Sequence, residues 1–283
     1  MTTAAMAWDR LDSANKAKVT ALLKEHPMYK TTWKSAYHPH KALLPLGKFL
    51  MMRASKWPDE IKSKTNINYA YDRPEWHRIV QVLKYDFTID ESNPEVKGTK
   101  GDERNIVTAI EYAKISVVNP GISIQLRAVY FSWLINLVGD IHQPLHTCSL
   151  FDEDKLKKGD DCGTKIFVLR DTVKMDLHQF WDEQLGTSQD TRRIVQQGFI
   201  LKRAIPFEDV FVAEMSPVTW AKDGFRLAKN EVYRKEEIPI ILDQRKVKKQ
   251  LSEAYVRNAN DIAKRQVALA GYRLSVVISE VLN

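Results

Sequence analysis

Hydrophobic positions recur at helical spacing over most of the chain and mark out its elements. The apolar stretch Ala128 to Leu137, interrupted by Ser132 and Asn136, reads as a buried helix spanning about Ile122 to Gln143. Gly139 lets that helix pack closely, and Pro144 ends it near Gln143. Asp12-Ser13 caps a helix over Ala14 to Glu25, stopped by His26-Pro27. Leu46 to Lys56 makes a short amphipathic helix, and Pro58 opens another turn of helix. Trp76 to Val80 is partly β-branched and predicts an extended segment, and Phe87 to Gly101 reads as a loop. Ile106, Ile110, Ala113 and Val117 form a helical stripe, closed by the turn Asn119-Pro120-Gly121. Phe151 to Gly163 is a charged loop, and Thr164 to Arg170 alternates like one strand of a small hairpin. Helices follow over Met175 to Leu185, Ser216 to Tyr233 and Leu251 to Val281, the last with Val267, Ala270, Gly271, Leu274, Ile278 and Val281 on one face. No repeat and no long linker divides the sequence, so the expectation is one mostly α domain over residues 1–283.

Composition narrows the class. With 44% hydrophobic and 28% charged residues, the chain has the make-up of an ordinary globular protein. No run approaches the length of a transmembrane helix, and Met1 to Trp8 lacks the basic and apolar regions of a signal peptide. The net charge of +7 suits a polyanionic partner such as nucleic acid, although the positive residues are scattered.

Two constellations carry chemistry. Asp140 lies at the end of the apolar helix, where an acid is costly unless paired or bound to metal. His146 follows six residues later. His178 and Asp182 stand four apart, on one face of a predicted helix. Each pair alone is more consistent with an ion pair than with a metal site. Together they supply the imidazole and carboxylate mixture that zinc takes. Other candidates have plainer readings: Asp59 and Glu60 fall in a helix first turn, where acids are favoured, and His38 and His40 flank a proline in a loop.

Gly139-Asp140-Ile141-His142-Gln143-Pro144-Leu145-His146, followed by Leu177-His178-Gln179-Phe180-Trp181-Asp182, resembles the zinc-dependent single-strand-specific nuclease family, part of the phospholipase C/nuclease superfamily. Trp57-Pro58-Asp59, Trp76-His77, Trp220 to Tyr233 and Gln266 to Leu274 extend the resemblance over nearly the whole chain. It implies a mainly α, helical phospholipase C/nuclease-like fold, and a zinc cluster that cleaves phosphodiester bonds with a metal-activated water. The substrate class it implies is single-stranded DNA or RNA, or nucleotides, with phospholipid as a minor variant. Carried over by motif, the metal ligands are Asp59, His77, Asp140, His146, His178 and Asp182. Asp59 also positions the attacking water, and Asp140 is shared between two zinc positions. The resemblance further implies a secreted or periplasmic location.

Some positions depart from the family's pattern. Asn136 stands where the family has a histidine, four residues before the central aspartate, and an amide is a much weaker zinc ligand than imidazole. Ala7-Trp8-Asp9-Arg10-Leu11 resembles the helix after the family's N-terminal zinc-binding segment, so Trp8 is not the ligand tryptophan and a third zinc position lacks its ligands. Arg78 and Val80 replace an aromatic and an acidic residue that hold a base. Gly159-Asp160-Asp161-Cys162-Gly163-Thr164 replaces a Gly-Asp-Arg-Gly-Gly-Asn loop. A catalytically impaired or inactive member that retains one zinc site, held by His146, His178 and Asp182, is therefore the alternative to an active nuclease. Cys148 and Cys162 lie between the two ligand motifs, either bridged across the loop or as free buried thiols.

Overall fold

A computed structural model describes residues 1–85, 105–209 and 214–283. The predicted loop at Phe87 to Gly101 lies outside these residues. The helices in chain order are α1 (Thr2–Arg10), α2 (Ser13–Lys24), α3 (Lys34–Tyr37), α4 (Leu46–Ala54), α5 (Trp57–Glu60), α6 (Ile106–Val118), α7 (Ile124–Asp140), α8 (Leu177–Asp182), α9 (Thr191–Ala204), α10 (Pro217–Leu227) and α11 (Glu253–Leu282). The strands are β1 (Gln81–Lys84), β2 (Cys148–Phe151), β3 (Phe167–Arg170) and β4 (Val173–Asp176). The fold is mainly α, as the periodicity predicts.

Helix α7 is the centre of the main core. Every residue from Phe131 to Val138 is buried, so this helix is enclosed on all sides. It packs against α6, α4 and α11, while α1 lies between α11, α9 and α4. Local signals fix most of the starts. Asp12 accepts from Asn15 N at 2.7 Å, and Asn105 and Thr108 form a reciprocal cap on α6. Helix α7 ends at Asp140, three residues earlier than the proline alone predicts. Gln143 must be extended before Pro144, and a 3-10 turn over Pro144–Thr147 follows.

A smaller second core lies beneath the strands and includes Leu145, Leu150, Ile166, Phe180 and Tyr255. The hairpin is present as β3 and β4, antiparallel from Phe167↔Asp176 to Arg170↔Val173. It takes Met175 and Asp176 from the predicted helix, which begins at Leu177 because Asp176 caps it by accepting from Gln179 N at 2.8 Å. A second pair was not anticipated: β1 and β2 run parallel, with Gln81↔Cys148 in register. The predicted extended segment at Trp76 is a 3-10 turn, Pro74–His77, and the chain becomes extended only from Arg78. The proline starts that turn, and Trp76 turns inward to pack on Trp133 with ring centroids 5.1 Å apart. Residues 234–252 join the two C-terminal helices. Turns and extended backbone, with one 3-10 turn at Gln244–Lys246, return the chain to α11.

Candidate metal centre and active site

The parallel strand pair sets the first half of the site. β1 follows His77 and β2 follows His146, so pairing the strands lays the two histidine segments side by side. Ile79 N donates to His146 O at 2.9 Å. In return, His146 Nδ1 donates to His77 O at 2.6 Å. Gly224 of α10 allows close approach to this turn: a Cβ there would lie 2.6 Å from Thr147 Oγ1.

The second half comes from the hairpin. β4 leads directly into α8, where Leu177 N donates to Ile166 O at 2.8 Å and His178 Nδ1 donates to Cys162 O at 2.7 Å. The Cys162 carbonyl is aimed by a left-handed turn, with φ of 55° at Asp161, 59° at Cys162 and 88° at Gly163. Asp160 anchors the turn. It is fully buried and accepts from Ser149 Oγ (2.8 Å), Leu150 N (2.9 Å) and Tyr233 OH (2.6 Å). Burial pushes its carboxyl above the usual range despite these donors.

His146, His178 and Asp182 thus converge. Their ligand atoms all lie within 4.8 Å of one another, the one such cluster among the described residues. Each histidine commits Nδ1–H to a backbone carbonyl, which fixes the tautomer and leaves the Nε2 lone pair free, as metal-bound imidazoles require. His178 Nε2 faces Asp182 Oδ2 at 3.5 Å, and Gln143 Nε2 holds the other oxygen, Oδ1, at 2.9 Å. Burial and the neighbouring His146 lower the His178 pKa, which keeps its ring neutral. Two imidazoles with Nε2 directed away from their carbonyl partners, and an oriented carboxylate, fit zinc with a position left open.

Asp59, His77 and Asp140 form an adjoining set. His77 Nδ1 lies 2.8 Å from Asp140 Oδ2 and 3.9 Å from Asp59 Oδ1, and His146 Nδ1 is 3.9 Å from the same Asp140 oxygen. Asp140 occupies the last turn of α7, where the helix dipole disfavours an acid. Burial raises its pKa, but His146, His77 and Lys62 outweigh that and leave the carboxylate ionised. Asn136 reaches this set directly. Its Nδ2 donates directly to Asp59 Oδ2 (3.1 Å) and Ser55 O (3.2 Å), while its buried Oδ1 has no partner. A hydrogen-bonding amide here couples to the carboxylate, where an imidazole would offer a lone pair.

Lys62 was missed. Its Nζ lies 2.8 Å from Asp59 Oδ1, and the Asp59 and Asp140 carboxylates raise its pKa against the effect of burial. Its spacing of three residues from Asp59 was the available signal. His38 is exposed, and His40 stacks on Phe49 at 5.3 Å; neither joins the cluster. Cys148 and Cys162 are both buried and both free. A cleft of about 830 Å³, with Asp182, Gln143, Lys56, Arg193 and Gln266 on its walls, opens beside the triad. That is ample for a nucleotide.

The family model for S1/P1 Nuclease matches residues 1–283. The chain belongs to the S1/P1 nuclease family. That is the zinc-dependent single-strand nuclease family named by the sequence resemblance, and membership makes this a hydrolase of the nuclease class acting on nucleic acid. No curated protein matches the chain. Among the described residues, no helix is long and apolar enough to cross a membrane.

Proposed function

We propose that this S1/P1 family member is a zinc-dependent phosphodiesterase that hydrolyses single-stranded DNA or RNA. The observation that supports it most is the convergence of His146, His178 and Asp182 with both Nδ1 atoms tied to carbonyls, directly beside Asp59, His77 and Asp140. Zinc, when bound there, supplies Lewis-acid polarisation and neutralises phosphate charge. His146, His178 and Asp182 would hold one ion, and Asp59, His77 and Asp140 a second, more weakly.

The protein's own groups do the rest. Asp59 is exposed on one side and accepts a hydrogen bond from Asn136 on the other, so a free lone pair can orient a water and take its proton. Lys62 places a fixed positive charge beside it, where an incoming phosphate also meets Lys56 on the cleft wall. Attack of that water on phosphorus forms one P–O bond and breaks another, releasing a phosphate-ended strand and a hydroxyl-ended strand.

The alternative, a family member that retains a zinc but no longer cleaves, draws on the direct Asn136–Asp59 hydrogen bond. One experiment separates the two. The zinc-loaded chain and its Asp59→Ala variant are incubated with single-stranded DNA, duplex DNA and phospholipid vesicles. Cleavage of the single strand alone, lost by at least about a hundredfold in the variant, is expected. Equal residual cleavage by both proteins would establish the inactive reading.

A further inference from the structure

Beyond the metal centre, the loop between β2 and β3 builds a groove of about 580 Å³ that the mechanism above does not use. Lys155, Lys157, Lys158 and Lys165 line it, with Asp154 the one acid among its described lining residues. Lys165 Nζ donates to Gly159 O at 3.0 Å on the groove floor. The side chains of Lys155, Lys157 and Lys158 are exposed and have no carboxylate partner among the described residues. Phe167, half-buried, and Leu242, 44% exposed, add an apolar wall. Unneutralised cations beside an aromatic face are what a single strand uses, phosphates on the charges and bases on the ring.

One turn of backbone links the groove to the metal centre. Its floor includes Gly159 and Thr164, which flank the left-handed turn whose Cys162 carbonyl holds His178. Thr164 Oγ1 donates to Asp161 Oδ2 at 3.3 Å, and Asp161 Oδ1 accepts from Arg78 Nη1 at 2.5 Å. Arg78 follows His77 directly in sequence. A line of polar contacts therefore runs from groove to ligand set, and its Arg78 guanidinium is 40% exposed. A strand whose scissile phosphate lies at the metal centre can run past Arg78 into the groove.

We propose that the Lys155–Lys165 groove is a docking track for the phosphodiester backbone of single-stranded nucleic acid beyond the scissile bond, with Phe167 as its stacking surface. The identity of the ligand rests on the nuclease reading above. The track makes the protein prefer long strands over dinucleotides, and the preference fades as salt rises.

The test uses the full zinc-loaded chain and a K157E/K158E double variant, both positions lying outside the catalytic machinery. The probe is a fluorescein-labelled, cleavage-resistant phosphorothioate oligothymidylate of roughly 20 nucleotides, long enough to occupy site and track together. A dinucleotide of the same chemistry is the short control. The double variant is expected to bind the oligomer at least about tenfold more weakly at low salt, with a log–log salt slope shallower by about 0.7 for each lost phosphate contact. Dinucleotide binding and zinc content stay unchanged, and K157R/K158R restores the oligomer affinity. Equal affinity of wild type and charge-reversed protein for the oligomer would overturn the track, as would equal weakening of both ligands. Should the wild type bind the oligomer through these lysines yet cleave no unmodified strand, the nuclease reading fails and the track stands.

Discussion

Replacing Asn136 with histidine should move the metal-free and metal-bound proteins in opposite directions. Without metal, the substitution removes the bonds from Asn136 Nδ2 to Ser55 O and Asp59 Oδ2. Both acceptors meet a 5% exposed residue, so the loss is only partly repaid by water. One bond is neutral and one involves a carboxylate, and together they are worth about 2–3 kcal/mol. With zinc, the new imidazole adds a strong donor to Asp59, His77 and Asp140. At least about tenfold tighter binding is expected, equivalent to about 1.4 kcal/mol. Urea unfolding of the chelator-treated variant should give a lower midpoint than wild type, and added zinc should close or reverse the difference. Competition with a coloured chelator reads the affinity directly, and single-stranded DNA cleavage should rise with it. Adding Asp59→Ala to Asn136→His should abolish both gains, since it removes a ligand and the group that orients water. A variant destabilised without metal, whose zinc affinity and cleavage stay at wild-type values, would refute the assignment of Asn136 to a metal position.

Other consequences can be checked independently. Tyr233→Phe takes one donor from the buried Asp160 carboxyl, so the protein should lose about 1–3 kcal/mol in urea unfolding. Zinc should also bind about tenfold more weakly, because the turn that aims the Cys162 carbonyl at His178 loosens; unchanged zinc affinity would show that the turn does not position the ligand. Gly224→Ala forces a methyl to within 2.6 Å of Thr147 Oγ1, and about 1–3 kcal/mol of overpacking together with displaced His146 is expected by unfolding and zinc titration. Stability should fall in acid. His26 and His142 are both pushed down to about 3 by burial, the latter also by Arg273. The unfolded chain therefore protonates first below the ordinary value of 6.5. The stability is complete above that pH and declines toward pH 3, by up to about 1.4 kcal/mol per pH unit for each ring. A flat unfolding midpoint between neutral and mildly acidic buffer, with chelator present, would contradict this.

What was legible in the sequence is what short-range chemistry determines. Asp12 caps its helix because its side chain reaches a backbone amide three residues on. The enclosed helix α7 shows as an apolar run, and His178 with Asp182 shows as a one-face pair. Pairing of β1 with β2 was not legible. Each has only four residues, and they come together across more than sixty positions of sequence, so nothing local records the pairing. Yet that pairing brings the His77 carbonyl to His146. The Cys162 carbonyl was equally hidden, since it depends on left-handed backbone at two non-glycine residues. Six candidate ligands could thus be proposed from motifs, while the groups that orient their side chains could not. Asn136 shows the same boundary: its lack of imidazole is plain in the sequence, but its direct bond to Asp59 is a matter of distance.

Zinc at the His146, His178 and Asp182 site is proposed to make this protein a nuclease. The most direct test is a titration of zinc into chelator-stripped protein, with cleavage of single-stranded DNA followed at each addition. Activity should return in proportion to the zinc bound, and His178→Ala should shift its return to much higher zinc concentrations. Zinc that saturates the wild-type protein without restoring cleavage would contradict the claim.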